Sequence, residues 1–276
     1  MQDNYFIIIK FCMYAFILVA IATFGDSNTA EPTPLVMQTA LQQPSPSDPY
    51  FQSQAHISGN PKEENSRYTG SAFSLSRDGS WLTATHVLKG CKRAYAELQK
   101  SRGGRFRYKS ILSWQPVTGT DVGVMKTQGG TAGLHLAKTA PRDGESGFFY
   151  GFPAGQANAG YAVKFGNVNM IRFQGLEREA ADVWTIYDFH PAKTIHLGGN
   201  SGGPMLNKYG EVVGVVSAGN DRRGRVFTSM IPRIASLNDF SYAEFSPKDT
   251  LTQDNYVKFG RKLRHNEIVI RVNCRT

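Results

Sequence analysis

Between positions 198 and 204 the chain reads GGNSGGP, a serine set among glycines and followed by a proline. A serine hydroxyl is a poor nucleophile until a base takes its proton and N–H donors are aimed at the oxyanion formed when it attacks a carbonyl. Glycines can supply the donors. With no side chain at Gly199, the backbone can turn that N–H and the N–H of Ser201 into one small cavity, which a β-carbon would obstruct. A base and an orienting carboxylate must come from elsewhere. Residues 81–88, WLTATHVL, bring His86 to the end of an apolar, β-branched run behind the small residues Thr83 and Ala84. Residues 120–126, TDVGVMK, place Asp121 at the mouth of the apolar run Val122, Val124, Met125. Each residue alone has a commonplace reading: a glycine-rich turn, a structural histidine, a strand cap. Three of them in the order His, Asp, Ser describe nucleophilic acyl transfer.

That order, with each residue inside its own motif, resembles the trypsin-like (chymotrypsin-fold) serine proteases over roughly residues 67–235. The α/β-hydrolases run Ser, Asp, His. Here only His265 lies beyond Ser201, and Gly202-Gly203-Pro204 cannot start the helix that a nucleophile elbow requires. GSAFSLSRDGSWLTATHVL and GNSGGP are most similar to the bacterial branch typified by the high-temperature-requirement periplasmic proteases, and Phe152-Pro153-Ala154-Gly155 resembles the Gly-Tyr-Pro turn of bacterial members. The resemblance implies an all-β fold of two six-stranded antiparallel β-barrels with a short C-terminal extension. It implies His86, Asp121 and Ser201 as catalytic triad and the N–H groups of Gly199 and Ser201 as oxyanion hole. The primary pocket would be lined by Ile195 and His196, by Ser217-Ala218-Gly219, and by Gly224-Arg225-Val226. An Ile195 floor offers no carboxylate for a Lys or Arg, which favours small or medium apolar side chains before the scissile bond. His196 and Arg225 facing one cavity would instead suit Glu or Asp, although Val216 stands where the Glu-specific branch has a histidine. Asn200 replaces the aspartate that pairs with a new N-terminus in the pancreatic enzymes, so activation by N-terminal trimming is not expected.

The elements that must hold these residues are strands and tight turns. A hairpin turning at Arg77-Asp78-Gly79 leads to His86, and PMLNKYGEVVGVVSAGN reads as strand, turn at Lys208-Tyr209-Gly210, and strand. Short runs separated by glycines, such as GFFYGFPAG and GYAVKFGNVNMIRF, fit antiparallel barrel strands, and EIVIRV near the end reads as one more. A content of 41% hydrophobic residues with 28 glycines and 13 prolines in 276 residues agrees with such a protein.

Residues 5–24 form an apolar run broken only by Lys10, with Ala20-Ile21-Ala22 at signal-peptidase spacing. It reads as a signal peptide or an uncleaved N-terminal anchor over 1–25, and either puts the rest in an exported, secreted or periplasmic compartment. Residues 26–66 hold six of the 13 prolines and no strand or helix period: a Pro/Ser/Gln-rich linker. The peptidase domain then spans 67–240 and a basic C-terminal extension 241–276, too short for a substrate-tethering PDZ domain, so no caged oligomer of that type is expected. Cys91 and Cys274 either pair or stay as thiols; no ligand cluster suggests a metal, and no cofactor is expected. The formal charge is +9, with Lys89, Lys92, Arg93, Lys100, Arg102, Arg105, Arg107 and Lys109 set against Glu97. This run is either a solvated face or a patch for acidic substrates and envelope polyanions, with no specific nucleic acid implied. The resemblance thus implies a serine endopeptidase acting on proteins or peptides. The competing reading is an inactive protease-like binding module of the cell envelope.

Overall fold

The computed structural model describes residues 54–57, 62–100, 104–172, 177–191, 195–231 and 244–276, all within the compact unit Pro34–Thr276. The expected leader 1–25 and most of the expected linker lie outside the described residues.

Among the described residues, the strands β1 (Gln54–Ile57), β2 (Arg67–Ser74), β3 (Ser80–Ala84), β4 (Arg93–Lys100), β5 (Phe106–Pro116), β6 (Val122–Thr127), β7 (Ser146–Gly151), β8 (Asn158–Arg172), β9 (Glu177–His190), β10 (Pro204–Leu206), β11 (Val212–Asn220), β12 (Arg225–Met230) and β13 (Val269–Arg275) are joined by turns, short 3-10 turns and the α-helices α1 (Thr85–Leu88) and α2 (Tyr256–His265). They build the two expected barrels. The first closes in the order β13-β2-β3-β6-β5-β4. The second runs β8-β7-β10-β11-β12-β9 and closes through β8–β9, with β1 added to β8 in parallel.

Two boundaries differ from the sequence reading. Gln54–Ile57 was expected within a linker, yet its backbone pairs with Asn169–Arg172 of β8. Residues 241–276 were expected as an appended extension, yet β13 is a full barrel strand, registered Val272↔Gly70 on one side and Val272↔Ala96 on the other. A six-stranded ring needs a strand between β2 and β4, and this one comes from the far end of the chain. Cys91 and Cys274, left open between disulfide and thiols, are bonded, with Cα atoms 5.5 Å apart. The bridge ties β13 to the segment that follows α1.

Strands of this fold bury both faces. Ala72, Trp81, Met125, Ile270 and Val272 fill the first barrel. Phe149, Trp184, Met205, Val213 and Val226 fill the second. The opposite faces supply the largest core between them: Phe73, Leu82 and Val124 meet Phe148, Leu206 and Val215, covered by Tyr256, Phe259 and Leu263 of α2. A helix presenting residues at i, i+3 and i+7 buries one stripe, and α2 does so. The core between the barrels fixes how they meet, and their seam carries the residues read from the sequence as catalytic.

Candidate active site at the barrel seam

His86 lies in the single helical turn α1, which takes over where β3 ends. Asp121 immediately precedes β6, the neighbour of β3, so strand pairing alone brings the two together. The Thr85 N–H donates to the Asp121 carbonyl at 2.6 Å and the Thr85 hydroxyl to the Val122 carbonyl at 2.9 Å, clamping the start of α1 on the start of β6. The Asp121 carboxylate is 4% exposed. Its Oδ1 accepts the His86 backbone N–H at 3.1 Å, and its Oδ2 lies 2.6 Å from His86 Nδ1. Oδ2 also accepts the Ser217 hydroxyl from β11 at 2.7 Å, a bond that crosses from the second barrel to the first. The carboxylate thus accepts from both barrels, and its bond to Nδ1 leaves Nε2 as the ring nitrogen not engaged by Asp121.

Ser201 sits in the turn before β10 and shares with His86 a cavity of about 310 Å³, also lined by Gly198 and Gly199. The seam fixes its backbone from both sides. The Ser201 carbonyl accepts the Ser71 N–H of β2 at 2.7 Å, and the next residue, Gly202, donates to the Val216 carbonyl of β11 at 2.7 Å. Asn200 N–H closes a turn onto the Leu197 carbonyl at 3.0 Å with Gly199 at φ +108°, the positive third-residue φ of a type II turn. A β-carbon there would lie 2.5 Å from the Phe152 carbonyl oxygen. The Pro153-Ala154-Gly155 turn backs this loop, with Ala154 N–H donating to the Gly198 carbonyl at 2.9 Å. Among the described residues, the N–H groups of Gly199 and Ser201 have no hydrogen-bond acceptor, so both remain available to an incoming oxygen.

The residues expected around the primary pocket are only partly brought together. Ile195 packs with Leu197, Val216 and Val226 on the inner side of the second barrel. Gly219 lies against Leu197, whose Cδ1 would be 2.5 Å from an added β-carbon. Arg225 does not join them: it points to the other face of β12, its guanidinium 5.4 Å from the centre of the Phe165 ring, because alternation along a strand sends Val226 inward and its neighbour outward. His196 is exposed, with Nδ1 3.2 Å from Asp221 Oδ2. The alternative histidine–arginine pair for an acidic side chain is therefore not assembled, and Asp221 adds a carboxylate of its own. Sequence reasoning missed Ser71, Leu197 and Asp221. Asp221 stood beside Asn220 in a turn, where a carboxylate reads as turn chemistry, and it does cap the Leu197 N–H at 3.0 Å. A serine within an apolar strand carries no signal of its own, and Leu197 reads as core.

No group of three or more potential metal ligands occurs among the described residues. The basic run is largely occupied where described. Arg107 pairs with Glu267, Lys92 with Glu64 at 2.8 Å, and Lys109 donates to the carbonyls of Gln128 and Gly129.

The chain is 28% identical over 179 residues to the uncharacterized protein y4bJ of Sinorhizobium fredii, an alignment covering 64% of this chain and 25% of that one. It is 31% identical over 170 residues to HhoB of Synechocystis sp., described as a candidate serine protease, with 57% and 35% covered. The chain thus spans between a quarter and about a third of the length of these relatives. Among solved structures, the active form of the Rv3671c protease from M. tuberculosis is similar at 19% identity and a TM-score of 0.47, covering 66% of this chain and 83% of that one. The HtrA-type protease AlgW with a decapeptide is similar at 20% and 0.44, covering 69% and 52%. The model of the trypsin-like peptidase domain matches residues 70–215, the stretch from β2 to β11 that carries His86, Asp121 and Ser201 and more than half of the chain, and by that match the chain belongs to the trypsin-like peptidase family.

Proposed function

We propose that the protein is a serine endopeptidase in which Ser201, His86 and Asp121 form the triad. The observation that carries this reading is the Asp121 carboxylate, buried at the seam, bonded at 2.6 Å to His86 Nδ1, and held from the second barrel by Ser217. Such an arrangement serves an imidazole that must gain and lose a proton at Nε2. Ser201 Oγ attacks the peptide carbonyl while His86 Nε2 takes its proton, and the tetrahedral oxyanion is held by the N–H groups of Gly199 and Ser201. His86 then protonates the departing amine, leaving an acyl-enzyme. Water, deprotonated by the same nitrogen, releases the acid and restores the serine. Asp121 stays ionised throughout and steadies the imidazolium.

Ile195 and Leu197 against Gly219 favour a small apolar side chain before the scissile bond. Asn200 is buried and neutral, so activity should not depend on a free new N-terminus. The apolar run at 5–24 supports export, as a cleaved signal or an anchor, and the basic face supports attraction of acidic partners.

Fluorophosphonate labelling of the folded protein tests the reading. The expected result is one adduct on Ser201, absent in Ser201→Ala and strongly reduced in His86→Ala, with peptide turnover falling by a factor on the order of 10⁴–10⁶ in either variant. An unlabelled Ser201 in folded protein would leave the envelope binding module as the better reading.

A further inference from the structure

The cavity shared by Ser201 and His86 has a wall outside the triad, formed by Lys62, Tyr68, Thr69 and Val87. All four belong to the first barrel or to the segment entering it. In the endopeptidase reading the acyl half of a substrate would lie along Ser217–Gly219 of the second barrel, and the leaving amine would receive its proton from His86. The wall beside His86 therefore meets the peptide on the leaving side of the scissile bond. Among the described residues that line the cavity, Lys62 is the only lysine or arginine. Its Nζ donates to the Val87 carbonyl at 2.7 Å, lies 3.3 and 3.2 Å from the Cys91 and Cys274 sulfurs, and stands 5.4 Å from the centre of the Tyr68 ring. None of these neighbours is an anion. No carboxylate lines the cavity, and among the described residues none pairs with Lys62.

A half-buried ammonium without a counter-charge is an incomplete arrangement, since its neutral neighbours offset only part of the desolvation cost that an opposite charge would meet. The cost shows in its pKa, drawn down by burial from the usual lysine value to about 8. We propose that Lys62 selects substrates carrying Asp or Glu as the first residue after the scissile bond, the incoming carboxylate supplying the missing counter-charge. This rests on the endopeptidase reading above and adds a preference to the site. The sequence offered no hint of it, because Lys62 falls in the stretch that reads as linker.

The charged groups facing Lys62 in the cavity set its pH behaviour. His86 serves every substrate alike, so its titration cancels in a ratio of two substrates. The Tyr68 hydroxyl accepts the Glu63 N–H at 2.6 Å. Lys62 is charged below its lowered pKa and neutral above it. Preference for a carboxylate is thus present at neutral pH and lost as pH rises through about 8.

The test is kcat/KM on matched peptides with blocked ends that differ only in Glu, Gln or Lys after the scissile bond. A Glu:Gln ratio of about ten and a Gln:Lys ratio above one are expected at pH 7, both shrinking toward one at pH 9. In Lys62→Met the Glu:Gln ratio should collapse to about one whatever happens to absolute rates, and Lys62→Arg should keep much of it at both pH values. Wild-type enzyme that labels at Ser201 and cleaves the three peptides equally would overturn the proposal while leaving the endopeptidase reading intact. No cleavage and no labelling would instead remove that reading. Should Lys62→Met fail to fold, the wild-type ratios and their pH dependence still decide.

Discussion

The two barrels share one cyclic strand order but are closed differently. Numbered along the chain, the second barrel uses six successive strands, β7 to β12, in the ring 1-2-3-6-5-4. The first shows the same ring with its first place taken by β13, from the other end of the chain. The second barrel can therefore complete itself from one contiguous stretch. The first must wait for residues beyond everything that builds the second. Loop closure over such a distance costs entropy, and the fold meets it with a disulfide spanning 183 positions and with α2 anchored in the core between the barrels. Three supports of the proposed triad, Thr85, Val122 and the turn carrying His86, belong to the barrel whose ring draws on the far end of the chain.

Removing β13 should have the largest effect. A chain ending at Asn266 keeps α2 but exposes the edges of β2 and β4, and the Ser71 N–H that holds the Ser201 carbonyl sits on β2. Turnover should fall below detection. Hydrogen exchange should show protection lost in β4 and β5 and retained in β8, β9 and β11. Wild-type turnover in the truncated chain would mean that the first barrel closes without its sixth strand.

Removing only the bridge should cost less. Cys91→Ser with Cys274→Ser leaves β13 paired on both sides while releasing the constraint on the unfolded chain. A destabilisation of about 2–5 kcal/mol is expected, read as a lower guanidinium midpoint. If closure from a distance is what needs support, the loss should appear first as faster exchange in β13 and β4. Equal loosening of both barrels would instead make the bridge a general brace.

The same contrast governs what could be read from the sequence. His86, Asp121 and Ser201, the proposed triad, could be singled out because each stands within its own motif and their order in the chain matches that of the family. The second barrel's strands were legible as glycine-punctuated runs. The role of β13 was not. EIVIRV reads correctly as a strand, but a strand carries no mark of its partner, and a pairing partner some two hundred positions away leaves no local trace. Imperfect alternation in Ala72, Phe73 and Leu75 has a physical cause: Ala72 faces the first barrel's interior while Phe73 and Leu75 face the core between the barrels, so both sides are apolar. Arg225 failed for the converse reason. Its place in the chain was right, but a one-residue difference in which face points to the pocket decides everything, and that parity is invisible without the register.

The smallest effect concerns Ser217, a side chain that the second barrel lends to the His86–Asp121 pair of the first. Ser217 donates its hydroxyl to Asp121 Oδ2, the same oxygen that holds His86 Nδ1. In Ser217→Ala the carboxylate loses one of three donors but keeps the His86 N–H and ring contacts, both made within the first barrel. The hydroxyl is buried at a position 2% exposed, so its loss should cost stability about 1.5–3 kcal/mol, in the range of a hydrogen bond to a charged group. Its catalytic effect should be a fall in kcat of about tenfold or less, far smaller than for Ser201→Ala, because the imidazole keeps its tautomer. Should Ser217→Ala instead match the loss in Asp121→Asn, the second barrel would be fixing the dyad, and the division of labour between the two barrels would have to be redrawn.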